Sequence, residues 1–124
     1  VTITNTFEES DRDALLASPR PLPEALGRIL DLYFDFYVAT YGRRACALHD
    51  PLAAAIAVGD IPLRTAPVVN VQVDATGGPG RGQTICDLRG YLNGYPEQPG
   101  ARCRVVLELQ DDFAPTLLAQ LLRA

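Results

Sequence analysis

Ala47-Leu48-His49-Asp50-Pro51-Leu52 is the stretch on which the reading of this 124-residue chain turns. It holds the only histidine, with an aspartate directly after it and a proline after that. Asp-Pro reads as a helix start. Asp50 can accept a hydrogen bond at the N-cap, and Pro51 suits the first helical position, where its missing N–H would have no partner anyway. The apolar residues 52–58 then supply the helix. His49 and Asp50 are thus expected where a loop enters a helix, both free to point away from the core. A carboxylate and an imidazole so placed can act as metal ligand and proton donor. They can equally be a cap beside a surface histidine, and spacing alone leaves both open.

Upstream, residues 23–41 read as a long helix, because Leu26, Leu30, Tyr33, Tyr37 and Tyr41 recur at helical spacing. Leu32, Phe34 and Phe36 fall on other faces, which predicts burial on more than one side. Gly42 is a suitable left-handed stop, and Arg43 and Arg44 complement the negative end of the helix dipole. The tyrosines form one stripe, either core packing with peripheral hydroxyls or an aromatic wall able to stack on a planar ligand. Pro19, Pro21 and Pro23 form a stiff connector. Before it, Ser10-Asp11-Arg12-Asp13 is a capped start to a short helix through Ala14-Leu15-Leu16. Val1-Thr2-Ile3-Thr4 reads as the end of a strand already in progress. With no methionine anywhere, this suggests a piece cut from something longer.

Downstream the character changes. Residues 67–74 (PVVNVQVD) alternate in part and are rich in valine, as a strand should be. Gly77-Gly78-Pro79-Gly80 marks a turn. Residues 83–88 are a second strand, 90–100 an irregular loop, and 102–109 a third strand. Asp111 or Asp112 caps a closing helix through residue 122, with Pro115 tolerated in its first turn. No segment repeats.

Composition removes several classes of function. With 48% hydrophobic and 21% charged residues the chain is a folded protein, expected as one domain over residues 1–124. Its net charge of -4 argues against nucleic acid or anionic membrane as partner. All 11 basic residues are arginine, so lysine-based Schiff-base chemistry is excluded. No apolar run reaches the roughly 20 residues that span a bilayer, and no signal peptide is visible. The only serines, Ser10 and Ser18, lie far in sequence from His49, against serine catalysis. A Cys46–His49 dyad across a loop has poor spacing. Residues 77–82 carry glycines and Arg81 but lack a P-loop lysine and lie between strands, so they read as a hairpin turn. Three cysteines without C-x-x-C spacing and one histidine assemble no zinc site. They read as reduced thiols in a cytoplasmic protein.

The motifs together carry a resemblance. Ala47-Leu48-His49-Asp50-Pro51-Leu52-Ala53 resembles the C-terminal signature of the inosine-uridine preferring nucleoside hydrolases. Pro21-Leu22-Pro23 leading to Leu32-Tyr33-Phe34-Asp35-Phe36-Tyr37 resembles the helix preceding that signature, and Arg81-Gly82-Gln83-Thr84 with Asp87 resembles the family's R-G-Q-T-x-x-D strand. The resemblance covers nearly the whole chain. It implies hydrolysis of the N-glycosidic bond of nucleosides, with a calcium ion holding the ribose hydroxyls and orienting a water. By resemblance Asp50 is a calcium ligand, His49 stands near the leaving base and gives or relays a proton to it, and Tyr33 and Tyr37 sit on the helix that closes over the nucleobase.

The departures from the family pattern are as informative. The N-terminal aspartate cluster, D-x-D-x-x-x-D-D, is absent, and so are the mid-chain Asn and Glu ribose contacts. One aspartate binds calcium negligibly, since calcium takes six to eight oxygens. The expectation is therefore an α/β chain forming the C-terminal part of a nucleoside-hydrolase-like fold, with helices packed on a small mixed or antiparallel sheet of about three strands. The parent would be a ribonucleoside hydrolase using calcium. The isolated chain would bind no calcium, would be inactive, and would self-associate as a homo-oligomer, most simply a dimer. The alternative is a non-catalytic binding or self-association module of the same fold. A third reading is an unrelated α/β domain in which His49 is structural.

Overall fold

The computed structural model describes all 124 residues and divides them into two compact units, residues 1–62 with 109–124, and residues 63–108. The first unit holds four helices and one two-stranded antiparallel ribbon. Strand β1 (Thr6–Glu8) pairs with β2 (Ala45–Ala47), setting Phe7 opposite Cys46. Helix α1 (Glu9–Leu16) follows β1 directly, and the Asp11 carboxylate accepts the Glu8 backbone N–H at 2.8 Å, which closes the helix start. The helix thus begins at Glu9, just ahead of the Ser10–Asp13 stretch expected as its capped start.

Helix α2 (Pro21–Tyr41) carries prolines in its first turn, where the missing N–H costs nothing, and stops at Gly42 with φ +66°. The Gly42 N–H closes the last turn on the Val38 carbonyl at 2.8 Å. Its buried face is Pro23, Gly27 and Phe34, flanked by the partly buried Leu26, Leu30 and Tyr37. Gly27 lets α2 lie tight against α1, since a Cβ there would lie 2.9 Å from Leu16 Cγ and 3.1 Å from the Leu16 backbone nitrogen. Burial on several sides, expected from Leu32 and Phe36, does not occur, for each is 74% exposed. Ion pairs tie α1 and α2 together: Arg12 binds Asp13 and Asp31, while Arg44 binds Glu9, Asp31 and Asp35.

Helices α3 (His49–Ala57) and α4 (Phe113–Leu121) complete the core, in which Phe7, Leu15, Phe34, Cys46, Leu48, Leu52 and Phe113 are buried together. Asn5 is the one buried polar residue. Its carbonyl oxygen accepts the Leu48 N–H at 2.9 Å, its side-chain Oδ1 accepts the Phe113 N–H at 2.8 Å, and its Nδ2 donates to the Val1 carbonyl at 3.0 Å. One residue thereby satisfies donors at the starts of both α3 and α4, helices whose own N-cap residues form no side-chain cap bond. Residues 2–4 form a 3-10 turn rather than the strand end expected there, and the strand begins at Thr6.

The second unit is made of short antiparallel pairings joined by turns. It opens on β3 (Leu63–Thr65), which pairs with β8 (Glu108–Leu109), and ends within β8 at Glu108. Strands β4 (Val68–Val69) and β7 (Cys103–Arg104) form one antiparallel ribbon, and β5 (Val71–Val73) and β6 (Thr84–Cys86) another. Residues 67–74 are thus two strands interrupted at Asn70, whose N–H is taken by the Gln98 side chain at 2.9 Å instead of a strand neighbour. The turn between β5 and β6 is a hairpin. Asp74 and Gln83 bond across its base at 2.9 Å, and the Arg81 guanidinium is held by the Ala75 and Thr76 carbonyls.

Candidate active site

A cavity of about 520 Å³ opens in the first unit, walled by α2, β2, the start of α3 and α4. Its lining includes Tyr33, Tyr37, His49 and Asp50, so the four residues singled out from the sequence face one space. The rest of the wall is mainly apolar, with Phe7, Leu26, Leu30, Leu48, Leu117 and Leu121 among it. Such a space, lined by hydrophobic and aromatic groups with few polar ones, suits a small organic ligand whose polar ends are fixed at the rim.

The tyrosines reach the cavity because they lie one turn apart on α2, i to i+4 on one face. Tyr37 is half-buried against the core, stacked edge-on with Phe36 at 5.1 Å and tilted against Tyr41 at 5.6 Å. Tyr33 is 52% exposed. The stripe therefore divides, one ring braced by neighbours and one free at the opening.

His49 and Asp50 take positions differing from the expected loop and cap. Leu48 is the N-cap, His49 the first helical residue and Asp50 the second, with no side-chain cap bond. Pro51 consequently falls third, still among the first four positions whose N–H groups have no partner within the helix. The local cause is Leu48, which is buried and fixed to Asn5 by its backbone. Both His49 and Asp50 are exposed. His49 Nδ1 lies 2.8 Å from Thr2 Oγ1, a hydrogen bond that links the imidazole to the first turn of the chain. Thr2, the partner of the His49 ring, was not singled out from the sequence. Nothing in the pattern around residue 2 signals a partner 47 positions away.

Calcium asks for six to eight oxygen donors. Asp50 is a single carboxylate, and nowhere does the chain gather three or more His, Cys, Asp or Glu in a group able to hold a metal. No buried side-chain nitrogen or oxygen lacks a hydrogen-bond partner either, so no group is left waiting for an ion. These residues alone do not make a calcium site.

Cys46, which also lines the cavity, is buried, and burial pushes its thiol up from the ordinary range. A raised thiol is a poorer nucleophile, and the partner of the His49 Nδ1 is Thr2, not Cys46. A second, more polar cleft of about 400 Å³ lies in the other unit, lined by Asp87, Arg89, Tyr95 and Gln98 among others. There the hydrogen-bonded Arg89 guanidinium holds the Asp87 carboxyl down at about 2.

Comparisons with known proteins identify the α/β arrangement. The profile of the inosine-uridine preferring nucleoside hydrolases matches residues 1–114. The chain belongs to that family. A plant nucleoside hydrolase structure superimposes with a TM-score of 0.78 at 22% identity, covering all of this chain and 39% of that protein. A purine-preferring ribonucleoside hydrolase from Gardnerella vaginalis superimposes with a TM-score of 0.70 at 26% identity, covering 98% of this chain and 35% of that one. The chain thus spans little more than a third of the length of these hydrolases. No curated protein sequence matches it. The unrelated-domain reading is overturned by the family match.

Proposed function

We propose that these 124 residues form the nucleobase side of a ribonucleoside hydrolase site, and that alone they do not hydrolyse nucleosides. The observation that carries this reading is the meeting of Tyr33, Tyr37, His49 and Asp50 around one cavity in a chain of the nucleoside hydrolase family. The substrate is a purine or pyrimidine ribonucleoside, and the products of the assembled enzyme are ribose and the free base.

Each residue has a role its chemistry suits. Tyr33 and Tyr37 offer aromatic faces against which a planar base stacks. The apolar wall excludes water from the base, which strengthens any hydrogen bond made to it. His49 stands at the rim as the group that gives a proton to the departing base. A base leaves with the electron pair of the glycosidic bond, and protonation neutralises it as the bond breaks. General-acid help of this kind is worth about 10²–10⁴-fold in rate. Asp50 offers one carboxylate toward calcium. It lacks the remaining donors, and no group of this chain is placed to deprotonate the attacking water, which is why the isolated chain is inactive. Three unpaired cysteines fit a cytoplasmic, reducing setting.

Titration of the pure chain with inosine and with uridine, followed by ring resonances in NMR, tests the binding half. Signals of Tyr33, Tyr37 and His49 should shift while distant ones stay put. An unmoved spectrum at millimolar nucleoside defeats the reading. Incubation with either nucleoside and calcium should release no free base, and clear turnover would show the inactivity claim to be wrong.

A second reading, a self-associating module without catalysis, draws on α2. Leu22, Ile29, Tyr33 and Phe36 recur along one of its sides and are all about half exposed or more. Homodimerisation through this stripe would cover it. Light scattering that finds a monomer at every concentration counts against both the module and the dimer.

A further inference from the structure

We infer that Thr2 is a positioning residue for His49: its hydroxyl accepts the Nδ1–H, so that Nε2 is the nitrogen presented to the nucleobase. Three observations lead there. The Nδ1–Oγ1 separation is 2.8 Å, within the range of a good hydrogen bond. Thr2 does not line the cavity, whereas His49 does, so Nδ1 is turned toward the chain's own first turn. Thr2 is itself fixed, since its carbonyl accepts the Asn5 N–H at 3.1 Å and Asn5 is bonded to the starts of α3 and α4.

The consequence is chemical. An imidazolium that loses its proton from Nε2 is left as the Nδ1–H tautomer. A Thr2 oxygen already accepting that N–H matches the ring before and after the transfer, with no reorganisation. The proton leaves Nε2 for a nitrogen of the departing base, the base takes the glycosidic electron pair, and the ring ends neutral. Hydrogen bonding at one imidazole nitrogen commonly decides which task the other performs. Asp50, the next residue along α3, is the nearest carboxylate in sequence, but the Nδ1 partner in the fold is the Thr2 hydroxyl, which orients the ring. The inference rests on the reading of His49 as the group beside the leaving base.

The experiment needs no turnover, because His49 is the only histidine. In the ¹⁵N-labelled chain at pH 8.5, long-range ¹H–¹⁵N correlation of one imidazole reports its tautomer directly. The wild-type ring should be mainly Nδ1–H. Thr2→Val, which keeps the branched shape and removes the acceptor, should shift the tautomer ratio about fivefold toward Nε2–H, the factor that a typical net hydrogen bond supports. Thr2→Ser should restore the wild-type ratio. A wild-type ring that is mainly Nε2–H, or a ratio unmoved by Thr2→Val in a chain whose amide spectrum is otherwise intact, overturns the inference. A tautomer that follows Thr2 while nucleoside leaves every ring resonance unmoved upholds the positioning and removes only the functional reading it was attached to.

Discussion

Replacing Gly27 by alanine tests the packing of α1 on α2. On helix propensity alone the change should stabilise a helix interior by about 1 kcal/mol. The structure reverses the sign. The new methyl would sit 2.9 Å from Leu16 Cγ, 3.0 Å from Leu16 Cδ2 and 3.1 Å from the Leu16 backbone nitrogen. A flexible side-chain tip could move aside, but a branch carbon and a main-chain atom require α1 itself to shift. Overpacking of that kind costs about 1–3 kcal/mol, so the net loss should be about 1 kcal/mol. For a chain of this length that lowers Tm by about 4 °C. Thermal unfolding by circular dichroism is sufficient, with Ala25→Gly at an exposed position of the same helix as the propensity control. Leu16→Ala combined with Gly27→Ala should lose less than the two single changes added, because the larger contact is gone. A Gly27→Ala protein as stable as wild type, or more so, would refute the close-approach argument.

Other expectations follow from single features. Asn5→Ala leaves the buried Phe113 N–H without its acceptor and should cost about 1–3 kcal/mol in urea unfolding, much as removal of a buried partner does elsewhere. An unchanged midpoint would show that water takes the place of Asn5. Thiol titration should find Cys103 reacting first and Cys46 only on unfolding, since the former is exposed and the latter is buried with its thiol pushed up. Equal rates would contradict that placement. Asp87 should titrate near 2 in carboxyl-detected NMR, against about 3.9 for a free aspartate. Because its folded value is depressed, its contribution to stability is complete above about pH 4 and disappears as pH falls through 2. A midpoint at the free value would mean the Arg89 contact does not persist.

Features written in local chemistry could be read from the chain. Gly42 after an apolar periodic run ends α2 where expected, and Asp112 precedes α4. Features that depend on a distant partner could not. The buried face of α2 is turned from the Leu26–Tyr33 spacing toward Gly27 and Phe34, because glycine gives no hydrophobic signal yet allows a close approach. The strand over residues 67–74 breaks because a glutamine far along the chain captures the Asn70 N–H. Pairing of β1 with β2 joins three-residue strands too short for alternation to show. Tyr33, Tyr37, His49 and Asp50, singled out by family resemblance, line one cavity. Thr2 was hidden, since a threonine in an extended-looking segment carries no mark of an imidazole neighbour.

The division of the first unit between residues 1–62 and 109–124 has a consequence for biosynthesis. A ribosome delivers the chain from one end, and Phe113, whose N–H awaits Asn5, emerges only after the whole second unit. At about 5–20 residues per second, the nascent chain spends seconds with the faces of Phe7, Leu15 and Leu48 uncovered before α4 arrives to close them. Translation that stalls within residues 63–108 would leave a sticky, half-closed product. A pause there leaves that apolar face open to chaperones, proteases and neighbouring chains.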